Sequence, residues 1–215
     1  MEHKYKNALT EYYKHFGICP IEYEPSPIGS VQIYNPGIKC IESIEAKIKL
    51  RKKINDIARC AVLTDSFQEV PNILVKLKEK VSKTIFRVII EDFDYKAIHA
   101  NFETDGVSCE IQFHTKKTWA AKLAEDINYK KWFYKHPDSD KEKLQKEIDM
   151  EITAKLYALF HEDGDFDRAK SEILETIEEL NRGSQEQELV PILDVDKMEK
   201  TQRKLLKIVE AIIAK

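Results

Sequence analysis

Apolar and polar positions follow one another in two rhythms along the chain. An amphipathic, charged run over residues 2–16 predicts a first helix, closed by Gly17. Pro20, Pro25, Pro27 and Gly29 then mark an irregular crossing, and residues 30–34 form a short strand stopped by Asn35-Pro36-Gly37. Ile41, Ile44 and Ile48 recur at three- and four-residue spacing, which predicts a helix over 39–55 with one buried stripe. Residues 57–64 (IARCAVLT) are strand-like. Ser66 caps the next helix, with Glu69 completing a capping box and Pro71 still in the early turns. Three further strands lie over 84–90, 95–104 and 107–115, the last two joined by the hairpin dipeptide Asp105-Gly106.

From Lys116 onward the rhythm is helical throughout. Helices are predicted over 116–133, 140–161, 167–181 and 197–215, the second carrying Leu144, Ile148, Ile152, Leu156 and Leu159 at helical spacing. His136-Pro137-Asp138 and the polar SQEQE stretch before Pro191 separate them. The expected class is therefore α+β: a sheet flanked by helices over residues 1–138, then a helical extension over 139–215.

Composition removes several alternatives. Hydrophobic residues make up 42% of the 215, too many for a compositionally disordered chain. Lys and Arg number 35 against 38 Asp and Glu, a net charge of −3 that argues against a constitutive nucleic-acid coat protein. No run approaches the ~18 apolar residues of a membrane helix, and the charged N-terminus lacks an export signal, so a cytoplasmic protein away from membranes is expected. Cys19, Cys40, Cys60 and Cys109 are scattered singly; Cys60 and Cys109 sit in strand-like runs as small buried hydrophobes.

Three groupings have chemical capacity. Lys39, Ser43 and Lys47, at i, i+4 and i+8, fan over roughly 80° of a helix, opposite its isoleucines. Two ammonium groups beside a positive helix end suit a polyphosphate, and the same spacing also describes an ordinary solvated face. Strand alternation puts Glu110, Gln112 and His114 on one face and Cys109, Ile111 and Phe113 on the other; Tyr95, Ala97 and His99 alternate in the same way in the neighbouring strand. That face is either a cleft or a solvated sheet surface. Asp56, at the start of a strand with Arg59 three residues on, is either a Mg²⁺ ligand or a turn residue.

In order, GxKxxxSIxxK (37–47), DIARCAVLTD (56–65), DYKAIH (94–99), EIQFHT (110–115) and AEDINYK (124–130) resemble the RelA/SpoT-type alarmone synthetase family, over about 30–130. The resemblance implies a nucleotidyltransferase-like mixed sheet of the small, single-domain kind. It also implies Mg²⁺-dependent transfer of the pyrophosphoryl group of ATP to the 3′-hydroxyl of GDP or GTP. Carried over by position, Asp56 and Glu110 hold the metal, and Glu110 is the candidate general base. Lys39, Ser43 and Lys47 lie along the ATP phosphates, Tyr95 stacks on the acceptor base and His99 sits near the acceptor's phosphates. Arg59, Gln112 and His114 complete the nucleotide-binding set. A homo-oligomer through the C-terminal helices is a further expectation, which amphipathic stripes by themselves do not establish.

The match has departures. Gly37 stands where the family's first motif opens with an adenine-packing arginine, the family's DxxGxR is Asp56-Ile-Ala-Arg59-Cys-Ala, and the arginine of EIQxRT is His114. Arg87 is a substitute cation, since arginine both stacks and binds phosphate. Two other readings stand beside the first: a toxin-like relative acting on tRNA 3′ ends or adenine nucleotides, and a nucleotide-binding protein without turnover. The alternating acids of 163–167 lack the glycine and terminal acid of a calcium loop and read as a helix start.

Overall fold

The computed structural model describes residues 2–17, 29, 31–50, 53–91, 93–135, 137–184 and 194–214. The predicted crossing at Pro20–Pro27 and most of the polar stretch before Pro191 lie outside the described residues, as do Cys19 and His136. The chain forms helix α1 (Glu2–His15), strand β1 (Gln32–Tyr34), α2 (Ile41–Lys49), β2 (Ala58–Thr64), α3 (Val70–Lys80) and β3 (Ile85–Ile90). There follow β4 (Lys96–Thr104), β5 (Val107–Thr115), α4 (Lys116–Tyr134), α5 (Asp140–Phe160), α6 (Asp165–Asn181) and α7 (Val195–Ile213). The class is α+β, as expected: a mixed five-stranded sheet flanked by helices.

Strand order is β1-β2-β5-β4-β3, with β2 and β5 parallel and every other neighbour antiparallel. The β4–β5 hairpin turns at Asp105 and Gly106, both at positive φ (55° and 77°), which is what a two-residue type I′ turn requires and why Asp-Gly stands there. Ser66 and Glu69 form the predicted capping box, on a 3₁₀ turn (Phe67–Glu69) that leads into α3. Asp165 accepts from the Ser66 hydroxyl and the Phe67 N–H, both at 2.7 Å, so the 163–167 acids belong to a helix start that clasps that turn.

The sheet's two faces differ. Cys60 and Val62 of β2, Cys109, Ile111 and Phe113 of β5, Ile98 and Ala100 of β4, and Phe86 of β3 are buried in one cluster with α3, α6 and α7. Helices α6 and α7 give Phe166, Ile173, Ile177, Met198, Leu205, Val209 and Ile212 to it, so the apolar stripes expected to lie in core or interface are spent on the chain's own sheet. The opposite face is covered only in part. Trp119 of α4 packs on Ala61 and Leu63, and a cluster rich in tyrosine from α1, α4 and α5 closes over Tyr95 and Ala97.

Two helices differ from their sequence patterns. Helix α2 ends at Lys49 rather than 55, and Ile48 is exposed while Ile44 is fully buried, because only α2's first turns reach the core. On α5, Leu144 and Ile148 are exposed, and the buried face is Asp149, Thr153, Leu156, Tyr157 and Phe160. Polar partners rotated the helix. Asp149 accepts from Trp132 Nε1 at 2.9 Å, Lys131 Nζ at 2.7 Å and Gln145 Nε2 at 2.8 Å, while Thr153 bonds Asn128 at 2.8 Å and Tyr12 at 3.0 Å.

Burial pushes the Asp149 carboxyl up, but the contacts from Lys131, Gln145 and Trp132 outweigh it and hold it below the usual carboxylate range. Its contribution to stability is therefore present above that range and is lost as pH falls through the lowered folded value. An Asp149→Ala change leaves the buried Trp132 indole N–H without its acceptor, and is expected to cost about 2 kcal/mol in urea unfolding at pH 7. The cost should shrink on acidification.

Candidate active site

Asp56 lies in the extended segment just before β2, and both of its oxygens face ammonium groups. Lys39 Nζ donates at 2.7 Å to Oδ2, and Lys47 Nζ is 3.0 Å from each oxygen. Lys39 is not on α2, as its spacing predicted, but two residues ahead of it, held by its N–H to the Ile57 carbonyl at 2.8 Å. The i, i+8 pair still converges, because Lys47 rises from α2 towards the strand that Lys39 already touches. Lys39 and Asp56 are each 8% exposed. Burial holds the Lys39 ammonium below its ordinary range, with Lys47 and Arg59 acting the same way and Asp56 opposing. Ser43 accepts from the Cys40 thiol at 3.1 Å at the start of α2, while the Arg59 Nε is buried with no partner among the described residues.

Across the parallel pairing, Arg59 stands opposite Glu110. Gln112 Nε2 donates to Glu110 Oε1 at 2.7 Å, Asn101 Nδ2 donates to Oε2 at 3.3 Å, and His99 Nδ1 is 3.4 Å from Oε2. Asn101 is in turn oriented by Arg87, whose Nη1 donates to its Oδ1 at 2.9 Å. Burial would raise the Glu110 carboxyl. The His99 charge and the hydrogen bonds from His99, Gln112 and Asn101 overcome that and hold it well below the usual range, so the carboxylate is ionised at neutral pH.

Behind Glu110 the network turns dry. The Tyr95 hydroxyl is 3.3 Å from both His99 Nε2 and His114 Nε2. His114 is fully buried between Tyr95 and Trp119, with ring centroids 5.6 and 5.0 Å away. Burial, followed by the charges of His99 and Lys122, holds its imidazole well below the ordinary range and hence neutral. One arrangement joins the chain with His114 neutral: His99 Nδ1–H donates to Glu110, and the Tyr95 hydroxyl bridges His99 Nε2 and His114 Nε2. It leaves His114 Nδ1 unpartnered among the described residues, as observed.

Comparison with known proteins gives similarity in structure only. No family model matches the chain, and no curated protein does. A GTP pyrophosphokinase family protein from Streptococcus pneumoniae is similar at a TM-score of 0.41 and 21% identity, covering 78% of this chain and 87% of that one. The type VI effector Tas1, in complex with its immunity protein, is similar at a TM-score of 0.44 and 15% identity over 73% and 88%. Small alarmone synthetase 1 from Bacillus subtilis, bound to its product pppGpp, is similar at a TM-score of 0.40 and 18% identity over 79% and 94%. At these levels the functional reading stands on the residues of the site.

The eleven residues singled out in the sequence fall into two linked groups. Lys39, Lys47 and Asp56 meet directly, with Ser43 at the start of α2 and Arg59 further along on β2. Glu110, Gln112, His99, Tyr95 and His114 form one hydrogen-bonded chain, which Arg87 joins through Asn101. Two differ from expectation in character. His114 is a neutral, buried support and offers no cation to a phosphate. The Tyr95 ring is 8% exposed and packed edge-on against Tyr157 at 5.6 Å and beside Phe93, so a base could stack on it only if those rings gave way. Asn101 went unnoticed in the sequence, although it continues the alternation of Ala97 and His99 onto the same face. Replacing His99 by alanine removes the largest group lowering Glu110. In the variant, ¹³C-detected titration should find the Glu110 carboxyl ionising at higher pH than in the unaltered protein.

Proposed function

We propose that this protein transfers the pyrophosphoryl group of ATP to the 3′-hydroxyl of a guanine nucleotide, GDP or GTP. The observation that supports this best is the convergence of two ammonium groups on the Asp56 carboxylate, one strand from a sheet face on which Glu110 is kept ionised. Transfer of this kind requires positioning and charge neutralisation more than covalent help from the protein, and these groups supply both.

Asp56 and Glu110 offer hard carboxylate oxygens. Magnesium needs only one or two of these, with phosphates and waters completing its shell. The donor chemistry therefore fits Mg²⁺, and no cluster of three or more potential ligands is present among the described residues. When bound there, Mg²⁺ would neutralise charge on the transferring phosphates. Lys39 and Lys47 would turn from Asp56 to phosphate oxygens, exchanging one anionic partner for another. The acceptor's 3′-oxygen forms a bond to the β-phosphorus as the bond from that phosphorus to the α,β-bridging oxygen breaks, and AMP leaves. The hydroxyl proton passes to Glu110. A carboxylate held this low is a weak base, so its part is to accept the hydroxyl's hydrogen bond, align the nucleophile and take the proton late.

A second reading, nucleotide binding without turnover, is favoured by one observation: the packed Tyr95 ring. One assay separates the two. Purified protein is given γ-labelled ATP and Mg²⁺ with GDP, GTP, AMP or bulk tRNA in separate reactions. Label on GDP or GTP is expected. Label on tRNA or AMP would point to the toxin-like alternative, and ATP binding without transfer to the inactive one. Glu110→Gln should lose about 10²–10⁴-fold in kcat. Lys47→Ala removes a charge-assisted contact of about 1.5–3 kcal/mol, so the KM for ATP should rise roughly 10- to 100-fold. Because Glu110 is already ionised, kcat/KM is expected to show no acidic limb from it down to about pH 5.

A further inference from the structure

The β1–β2 ladder ends where Tyr34 faces Ala61, and the chain rejoins the β2 edge only where the Lys39 N–H donates to the Ile57 carbonyl. Between those points Asn35, Pro36, Gly37 and Ile38 stand against Ala58, Arg59 and Cys60. The longer side bows outward: Pro36 has no N–H to give the ladder, and Gly37, at φ 76°, turns the chain. The bow leaves the Arg59 N–H and C=O without a strand beside them.

The side chain of Gln202, from α7, fills that gap. Its Oε1 accepts from the Arg59 N–H at 2.9 Å, and its Nε2 donates to the Arg59 carbonyl at 2.8 Å, the two bonds a neighbouring strand would make. The second hydrogen on Nε2 goes to Asn35 Oδ1 at 2.8 Å, and the same oxygen accepts from the Gly37 N–H at 2.9 Å. Both hydrogens and the oxygen of the amide are used, and reversing the amide would set an NH₂ against an N–H, so the orientation is unique. Gln202 is nearly buried on the helix face that carries Met198, Leu205 and Val209, where an apolar side chain would otherwise pack.

We propose that Gln202 is a positioning residue for the ATP-binding side of the site. By bridging β2 to the bowed turn it sets where Lys39 rejoins the sheet, and so the reach of the Lys39 ammonium to Asp56 and the entry of α2, which carries Lys47. The inference rests on the reading of Lys39, Lys47 and Asp56 as the place of the donor phosphates. It assigns the last helix a direct part in that place.

The test uses Gln202→Ala together with two changes at the exposed Asn35: Asn35→Ala, which removes the shared acceptor, and Asn35→Asp, which keeps an oxygen there. Amide exchange at Gly37 and Lys39 is followed without nucleotide, α,β-methylene ATP affinity is measured with Mg²⁺ by calorimetry, and KM is measured for the acceptor that the transfer assay identifies. Losing one neutral hydrogen bond should speed exchange at those amides and weaken analogue binding by about fivefold in Asn35→Ala, and by more in Gln202→Ala. The acceptor KM should stay within about twofold, and Asn35→Asp should behave like the unaltered protein. Unchanged exchange and affinity in folded Asn35→Ala overturn the proposal. So does an equal loss for analogue and acceptor, which marks a general structural role. If the unaltered protein itself fails to bind the analogue, the donor-site reading has failed, and the claim on Gln202 falls with it.

Discussion

The parallel pairing of β2 with β5 is the constraint on which the rest of the molecule depends. A parallel pair at the middle of a sheet must be covered on both faces, because neither strand can turn a polar side to water along its whole length. One face meets this fully, with a continuous apolar layer under α3, α6 and α7. The other is met by α4 at one end, where Trp119 covers Ala61 and Leu63, and by polar side chains at the other, where Arg59 stands opposite Glu110. The candidate site is that second solution. It lies where the pairing must continue and helical cover stops.

Two buried carboxylates then have to be stabilised there, and the molecule treats them differently. Asp56 is balanced by whole charges, two lysines brought from either side of the α2 entry. Glu110 is balanced by hydrogen-bond donors and one imidazole, two of them held by a further contact: Asn101 by Arg87, and His99 by Tyr95. The first arrangement sets point charges on four-carbon stems against the carboxylate, a pairing whose cations can serve another anion. The second is rigid, because moving Glu110 unpairs several buried groups together. A cation pair beside a rigidly held carboxylate is the combination that the proposed transfer asks of a site.

Much of this was legible along the chain. Alternation in 107–115 assigned Glu110, Gln112 and His114 to one face, and the apolar cluster confirms it from behind through Cys109, Ile111 and Phe113. The Asp-Gly hairpin and the Ser66–Glu69 capping box are local, so the residues that make them suffice to predict them. Helical spacing was a poorer guide. It set the α5 stripe on Leu144 and Ile148, whereas the buried face holds Asp149 and Thr153, whose partners come from α1 and α4.

What the sequence determined by itself was therefore the set of elements, the faces of the central strands and the types of residue able to carry chemistry, since each depends on backbone period and short-range hydrogen bonds. Tertiary structure alone decided three matters. Lys39 reaches Asp56 from outside the helix, His114 is driven neutral by full burial, and Gln202, some 140 residues from Arg59 in the chain, completes the sheet edge beside the site. Each turns on groups distant in sequence meeting in a space from which water is excluded, and a linear pattern carries no record of which distant group arrives or how much water remains.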